Sequence, residues 1–241
     1  MQKVVFHSVT VITMCIAVIF FASGASAQKP LAVVELFTSE GCSSCPAADR
    51  AVEDLQVQHK NDVLVLCYHV DYWNYLGWKD IYSSPANTRR QQFYTGIFHL
   101  NGAYTPQAVV NGTSQFTGSD RQQLAERIKR PLSFGNKLII KARATDGKIE
   151  VTNTASRLQA NEAIVICLVQ KESVSQVKSG ENSGHRLHHI NLVRDYQLTG
   201  ANVTARLTVP SGINKDALFV AAYIQNTTTG AIQQCATIEV E

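Results

Sequence analysis

The chain has 241 residues, 45% of them hydrophobic, and a formal charge of +3, so it can bury a sizeable core in one large or two modest domains without cysteine staples. That near balance of charge, with no long basic run, gives no sign of nucleic acid or an anionic membrane as a partner. No Gly-rich phosphate loop, HExxH helix or GxSxG elbow is present, which leaves nucleotide, zinc-protease and α/β-hydrolase chemistry without support.

The first element is an apolar run from Val9 to Phe21, preceded by Lys3 and followed by small residues, with Ala25 and Ala27 in A-x-A spacing. This pattern predicts a secretory signal peptide over residues 1–27, because the run falls short of the roughly 20 residues a spanning helix needs. The mature chain is therefore expected to be periplasmic or secreted and free of the membrane after cleavage, in a compartment where disulfides persist. Cleavage removes Cys15 and leaves Cys42, Cys45, Cys67, Cys167 and Cys235, an odd number that cannot all pair internally. Cys67 lies in an apolar run and reads as an inert thiol. Cys167 and Cys235 lie in strand-like stretches, where a mutual bond and two separate thiols both remain open.

"LAVVELFT" from Leu31 reads as a buried strand, and "PAADRAVEDLQVQHK" carries Ala48, Val52 and Leu55 at helical spacing. "DVLVLCYHV" is a second buried strand, so the opening is a βαβ unit with a right-handed parallel crossover. A helix capped by Ser84 ahead of Pro85 follows an aromatic stretch, then two short strands around Asn111-Gly112, then a capped helix ending before Pro131. Beyond Leu132 the texture is alternating strands: a hairpin around Asp146-Gly147, then "AIVICLVQ", "NVTARLTVP", "ALFVAAYIQN" and "IQQCATIEV". The spacing predicts a β-sandwich-like domain over 131–241. "GENSGHRLHHINLVRD" reads as a polar loop within it, with Arg194 and Asp195 as solvated surface charges.

Cys42 and Cys45 frame Ser43-Ser44 at the start of the first helix. Unpaired backbone N–H groups and the helix dipole favour an anion there, so Cys42 is the expected nucleophile and Cys45, one turn in, the buried resolving thiol. The cycle would consist of attack on a disulfide, a mixed disulfide, and displacement by Cys45; it needs no bound metal or cofactor, and its partners are protein or peptide thiols and disulfides. It does require Cys42 to be reachable from solvent.

The β-α-β-α-β-β-α order over residues 28–130, with C-x-x-C opening the first helix and Thr105-Pro106 ahead of the third strand, resembles the thioredoxin superfamily. "ELFTSEGCSSCPAAD" and "YHVDYWNYLGWKD" look more narrowly like a family of secreted bacterial thioredoxin-like proteins known only as a domain of unknown function. The resemblance implies an α/β thioredoxin-like N-terminal domain with a cis Pro106 facing the cysteines. It also implies that Thr105 and Pro106 position substrate, and that Glu35 stands near the place of a buried acid serving the resolving cysteine. The Glu35–Cys42 offset is one residue longer than that role expects, and strand alternation could turn Glu35 to the opposite face. Gly41 stands where such proteins often carry tryptophan. Tyr72 and Trp73 could line a peptide groove, although aromatics after a buried strand more often pack in a core; His69 and Asp71 read as hydrogen-bonded structural groups. The leading reading is a thiol–disulfide oxidoreductase. The alternatives are a copper- or zinc-handling module, with Cys42 and Cys45 joined by His69 or by His185, His188 and His189, and a non-catalytic interaction module whose bridge is structural.

Overall fold

Two short, wholly buried strands, β1 (Ala32–Thr38) and β2 (Val63–His69), pair in parallel from Ala32↔Val63 to Thr38↔His69. The computed structural model describes residues 32–60, 62–132, 138–155 and 157–241; the expected signal peptide lies outside them. Helix α1 (Cys45–His59) joins the two strands, with Pro46 in its first turn, where a missing N–H costs nothing. Helix α2 (Pro85–Ile97) begins as expected, the Ser84 hydroxyl accepting from the Asn87 amide. β3 (Gln107–Val110) and β4 (Ser114–Thr117) form an antiparallel hairpin whose turn residues Asn111 and Gly112 both have positive φ. α3 (Arg121–Arg127) is capped by Asp120.

The second half is almost entirely β: β5 (Leu138–Thr145), β6 (Lys148–Ala155), β7 (Glu162–Gln176), β8 (Arg186–Thr199), β9 (Ala205–Thr208), β10 (Leu218–Asn226) and β11 (Ile232–Glu239). The chain is thus mixed α/β, with an eight-stranded mixed sheet ordered β11-β10-β7-β8-β2-β1-β3-β4 and a three-stranded antiparallel sheet, β5-β6-β9. Strands on both sides of Pro131 share the larger sheet, joined where β8 meets β2 in parallel at Cys67↔Leu192.

β8 corrects the sequence reading, which took Arg186 to Asp195 for part of a polar loop. The alternation is there, with Leu187 and His189 buried and His188 exposed, but His189 is polar and Asn191 interrupts the period at positive φ. Nor are Arg194 and Asp195 merely solvated: Arg194 lies over the Tyr82 ring and Asp195 accepts from the Thr208 amide. No disulfide joins Cys167 to Cys235; the Cys167 sulfur lies 3.3 Å from the Tyr68 hydroxyl.

Strand alternation sorts three cores. Val34 and Leu36 of β1 face α1 and α3; Val33 and Phe37 face α2 and the second half of the chain; β7 and β10 turn their other face to the three-stranded sheet. Glu35 shares the face of Val33 and Phe37. Its carboxylate receives Arg90 Nε at 2.9 Å, Arg90 Nη2 at 3.0 Å, Tyr223 Oη at 2.9 Å and the Tyr94 hydroxyl. β1 and β10 stand four positions apart in the sheet, about 19 Å if it were flat. Direct Glu35–Tyr223 contact therefore means that the sheet curls around this ion pair.

Removing one partner of a buried pair strands the other's charge, so Arg90→Met should lower the urea-unfolding free energy by about 3–5 kcal/mol. The double variant Glu35→Leu/Arg90→Met should recover most of that loss, since no unpaired charge is then left inside.

Candidate functional site

Cys42 and Cys45 form a disulfide, with Cα atoms 5.4 Å apart, at the point where β1 gives way to α1. The turn between them is tight: the Cys42 amide donates to Ser39 O and the Cys45 amide to Cys42 O. Gly41 is a glycine because Trp73 occupies its side-chain space; an added Cβ would lie 3.0 Å from Trp73 Cβ. The Trp73 indole N–H then donates to Thr105 Oγ1 at 2.7 Å, so Trp73 links the cysteine turn to the Thr105-Pro106 segment. The Thr105–Pro106 peptide bond is cis. Pro106 is buried near the start of α1: a Cβ placed on Gly118 would lie 3.4 Å from Pro106 Cβ and 3.2 Å from Ala48 Cβ. Trp73 thus abuts the turn that carries Cys42, with Thr105 on its indole, while Pro106 lies near Ala48 of α1. Tyr72 is half-buried, donates to Gln91, and has its hydroxyl pKa pushed up to about 12 by burial.

Two expectations differ from what is found. Glu35 is not with the cysteines: it is on the sheet face opposite α1, committed to Arg90, Tyr94 and Tyr223, as its long offset from Cys42 allowed. Cys42 is not open to solvent either; it is 1% exposed and Cys45 0%. The tip of the β7–β8 hairpin is bonded to the turn that carries Cys42. Asn182 Nδ2 donates to Glu40 O at 2.8 Å and to Cys42 O at 2.9 Å, while the Ser43 amide donates to the Glu181 carboxylate at 3.0 Å.

Behind the disulfide lies a buried polar cluster. The Glu40 carboxylate receives Trp78 Nε1 at 2.7 Å and the Ser175 hydroxyl, and lies 3.2 Å from His189 Nε2; the Glu40 amide donates to Asp80. Asp80 also pairs with His69 Nδ1 at 2.6 Å, and the His69 and His189 rings meet edge to face at 4.8 Å. Asp49, one helical turn beyond Cys45, accepts from Thr38 Oγ1 and lies 3.9 Å from His189 Nδ1. Its side chain is only 12% exposed, and burial raises its pKa despite the two histidines. Asp49 had a sequence signal, an acid inside the helical stripe of Cys45, Ala48 and Val52. Glu40, Asp80 and Asn182 had none, and His189 stood out only as a candidate metal ligand, because only the tertiary fold brings the four together. Histidines of the "HRLHH" stretch diverge: His188 pairs with Glu53 on the surface while His189 points inward. Among the described residues no three His, Cys, Asp or Glu side chains are gathered so as to hold a metal ion.

Residues 33–225 match the model of a family described as a protein of unknown function, DUF1223. The chain belongs to that family. A crystal structure of protein AGR_C_4864 from Agrobacterium tumefaciens is similar at 30% identity and a TM-score of 0.64, over 88% of this chain and 94% of that one. A domain of the outer membrane lipoprotein Omp28 from Porphyromonas gingivalis matches 46% of this chain and 95% of its own at 12% identity and a TM-score of 0.28, too slight a likeness to bear on the fold. A search of the curated proteins found no match.

Burial disfavours a charged His69, but the Asp80 carboxylate beside it prevails and raises its pKa. Burial likewise pushes the Asp80 carboxyl up, but His69 and the amides of Glu40 and Tyr82 outweigh it and hold the pKa low. A raised histidine stabilises the fold fully below about pH 6.5 and loses that contribution as pH climbs through its folded value. A lowered aspartate stabilises fully above about pH 3.9 and loses that contribution as pH falls through its folded value. In this DUF1223 protein, urea titrations should therefore find this pair's contribution greatest between about pH 4 and 6.5. His69→Gln should abolish the decline on the alkaline side.

Proposed function

We propose that this protein is a periplasmic or secreted thiol–disulfide oxidoreductase with a thioredoxin-like unit over residues 28–130 and an appended β-sandwich-like portion over 131–241. The observation that carries the reading is the Cys42–Cys45 disulfide at the start of α1 with Asp49 one turn behind it. Supporting it are the strand order β2-β1-β3-β4, α1 and α3 packed on one face and α2 on the other, and the Thr105-Pro106 segment beside the motif. The signal-peptide pattern supports the compartment.

In the reducing direction the Cys42 thiolate attacks one sulfur of a substrate disulfide, forming a mixed disulfide and expelling the other sulfur as a thiolate. Cys45 gives its proton to Asp49 and its thiolate attacks Cys42 Sγ, which releases the second substrate thiolate and leaves Cys42–Cys45 oxidised. Two electrons have moved to the substrate, and an external dithiol restores the pair. Oxidation of a substrate runs the same steps backwards. Asp49 suits this duty better than Glu35. Burial raises its pKa above that of an ordinary carboxylate and so towards that of a thiol, and no arginine neutralises it. Trp73, Thr105 and Pro106 border the place where the substrate chain would lie.

A second reading, a structural bridge in a non-catalytic interaction module, is favoured by the burial of both sulfurs. The two part on reduction potential: a value below about −300 mV fits the structural bridge and a higher one the working couple. On the catalytic reading Cys42→Ser abolishes exchange with a peptide disulfide and Cys45→Ser accumulates the mixed disulfide. Asp49→Asn slows the resolving step about 100-fold, the size expected for loss of a general base, without slowing the first attack. Exchange at the parental rate in both cysteine variants would falsify the reading.

A further inference from the structure

The turn that carries the buried Cys42 is bonded to the tip of the β7–β8 hairpin. Between Val177, which is fully buried, and His185, the β7–β8 tip carries no apolar side chain: its sequence is Lys178, Ser179, Gly180, Glu181, Asn182, Ser183, Gly184. It is fastened mainly by hydrogen bonds. Asn182 spans Glu40 O and Cys42 O, Glu181 takes the Ser43 amide, Ser179 Oγ donates to Gly77 O, and Gly180 rests against Trp78. Each of these hydrogen bonds is with a group that water can serve almost as well, so little besides the Gly180–Trp78 contact opposes release of the tip. Gly180 and Gly184 both have positive φ, which spares a bend at either end the cost of a Cβ.

We propose that residues 178–184 are a displaceable cover over Cys42, latched by Asn182 and Glu181, and that the substrate chain takes their place against the Glu40 and Cys42 carbonyls and the Ser43 amide. The inference deepens the oxidoreductase reading and rests on it for the identity of the incoming chain, but the cover itself can be tested without it. Glu181 gives the closed state a second effect. Its carboxylate occupies an amide at the mouth of α1, where a Cys42 thiolate would otherwise find stabilisation, so the closed tip withholds both access and the groups that favour ionisation.

The test uses the mature chain, reduced and then treated with iodoacetamide, with alkylation of each cysteine followed by mass spectrometry. Asn182→Ala should raise the alkylation rate of Cys42 at least tenfold and quicken reduction of the Cys42–Cys45 bridge by dithiothreitol. Glu181→Gln, a change at an exposed residue, should give a smaller gain in the same direction. Cys67, buried beneath α1, should stay unreactive in both, which separates release of the tip from general loosening. If Asn182→Ala fails to fold, Glu181→Gln decides. Parental Cys42 rates in the folded variants, or equal gains at Cys42 and Cys67, overturn the cover. Gains confined to Cys42, in proteins that still exchange no peptide disulfide, keep the cover and sink the oxidoreductase reading. Exchange by the parent with no gain in either variant does the reverse.

Discussion

The buried carboxylate of Glu40, two residues before the first cysteine, sets the architecture of the site. A carboxylate with 0% exposure survives only if its oxygens are well supplied with hydrogen bonds. Its partners come from three separate segments: Trp78 from the β2–α2 connection, Ser175 from β7 and His189 from β8. Asp80 holds the Glu40 amide at the same time. Satisfying one charge therefore pulls the β7–β8 hairpin onto the turn that carries Cys42. The second half of the chain is thus part of the site.

A second buried acid, Glu35, does comparable work on the other side of the sheet. Its pairing with Arg90 and the Tyr94 and Tyr223 hydroxyls draws β1, α2 and β10 together and accounts for the curl that closes the large sheet around their shared core. Strand alternation assigns the two sides different tasks. Odd-numbered positions of β1 enter the joint between the halves. Even-numbered ones, ending at Thr38 with its bond to Asp49, face the helix that bears the disulfide.

What could be read from the amino-acid sequence follows the range of the interactions involved. α1 and α2 announce themselves through Pro46, Ser84 and Pro85, and both hairpin turns through Asn-Gly and Asp-Gly, because caps and turns are settled by neighbours within four residues. The wrong face of Glu35 was legible in its offset from Cys42, and Asp49 in its place on the buried stripe of α1. β8 was not legible. Its inward side chains include His189, polar by type and buried only because Glu40, over a hundred residues earlier, is there to meet it. The tie between the Cys42 turn and the β7–β8 tip escaped for the same reason: Asn182, which makes it, is 140 residues away in the chain.

Depth and reactivity pull in opposite directions for the proposed redox pair, and on that reading the composition around these cysteines meets each demand in a different place. Below Cys45 the surroundings are apolar, Ala48, Ala51 and Val52, interrupted by an acid able to take a proton where water is scarce. On the side of the β7–β8 tip the bonds to the Cys42 turn are polar, and water or another peptide can replace them. A turn held by leucines could be freed only by opening the core, whereas one held by an asparagine amide and a glutamate can be freed by local exchange of partners. Reduction bears on the same balance. A thiolate at Cys42 would compete with Glu181 for the amide at the mouth of α1, two negative charges drawn to one donor. On the proposed arrangement, the oxidation state of the pair and the position of its cover are consequently linked through that amide.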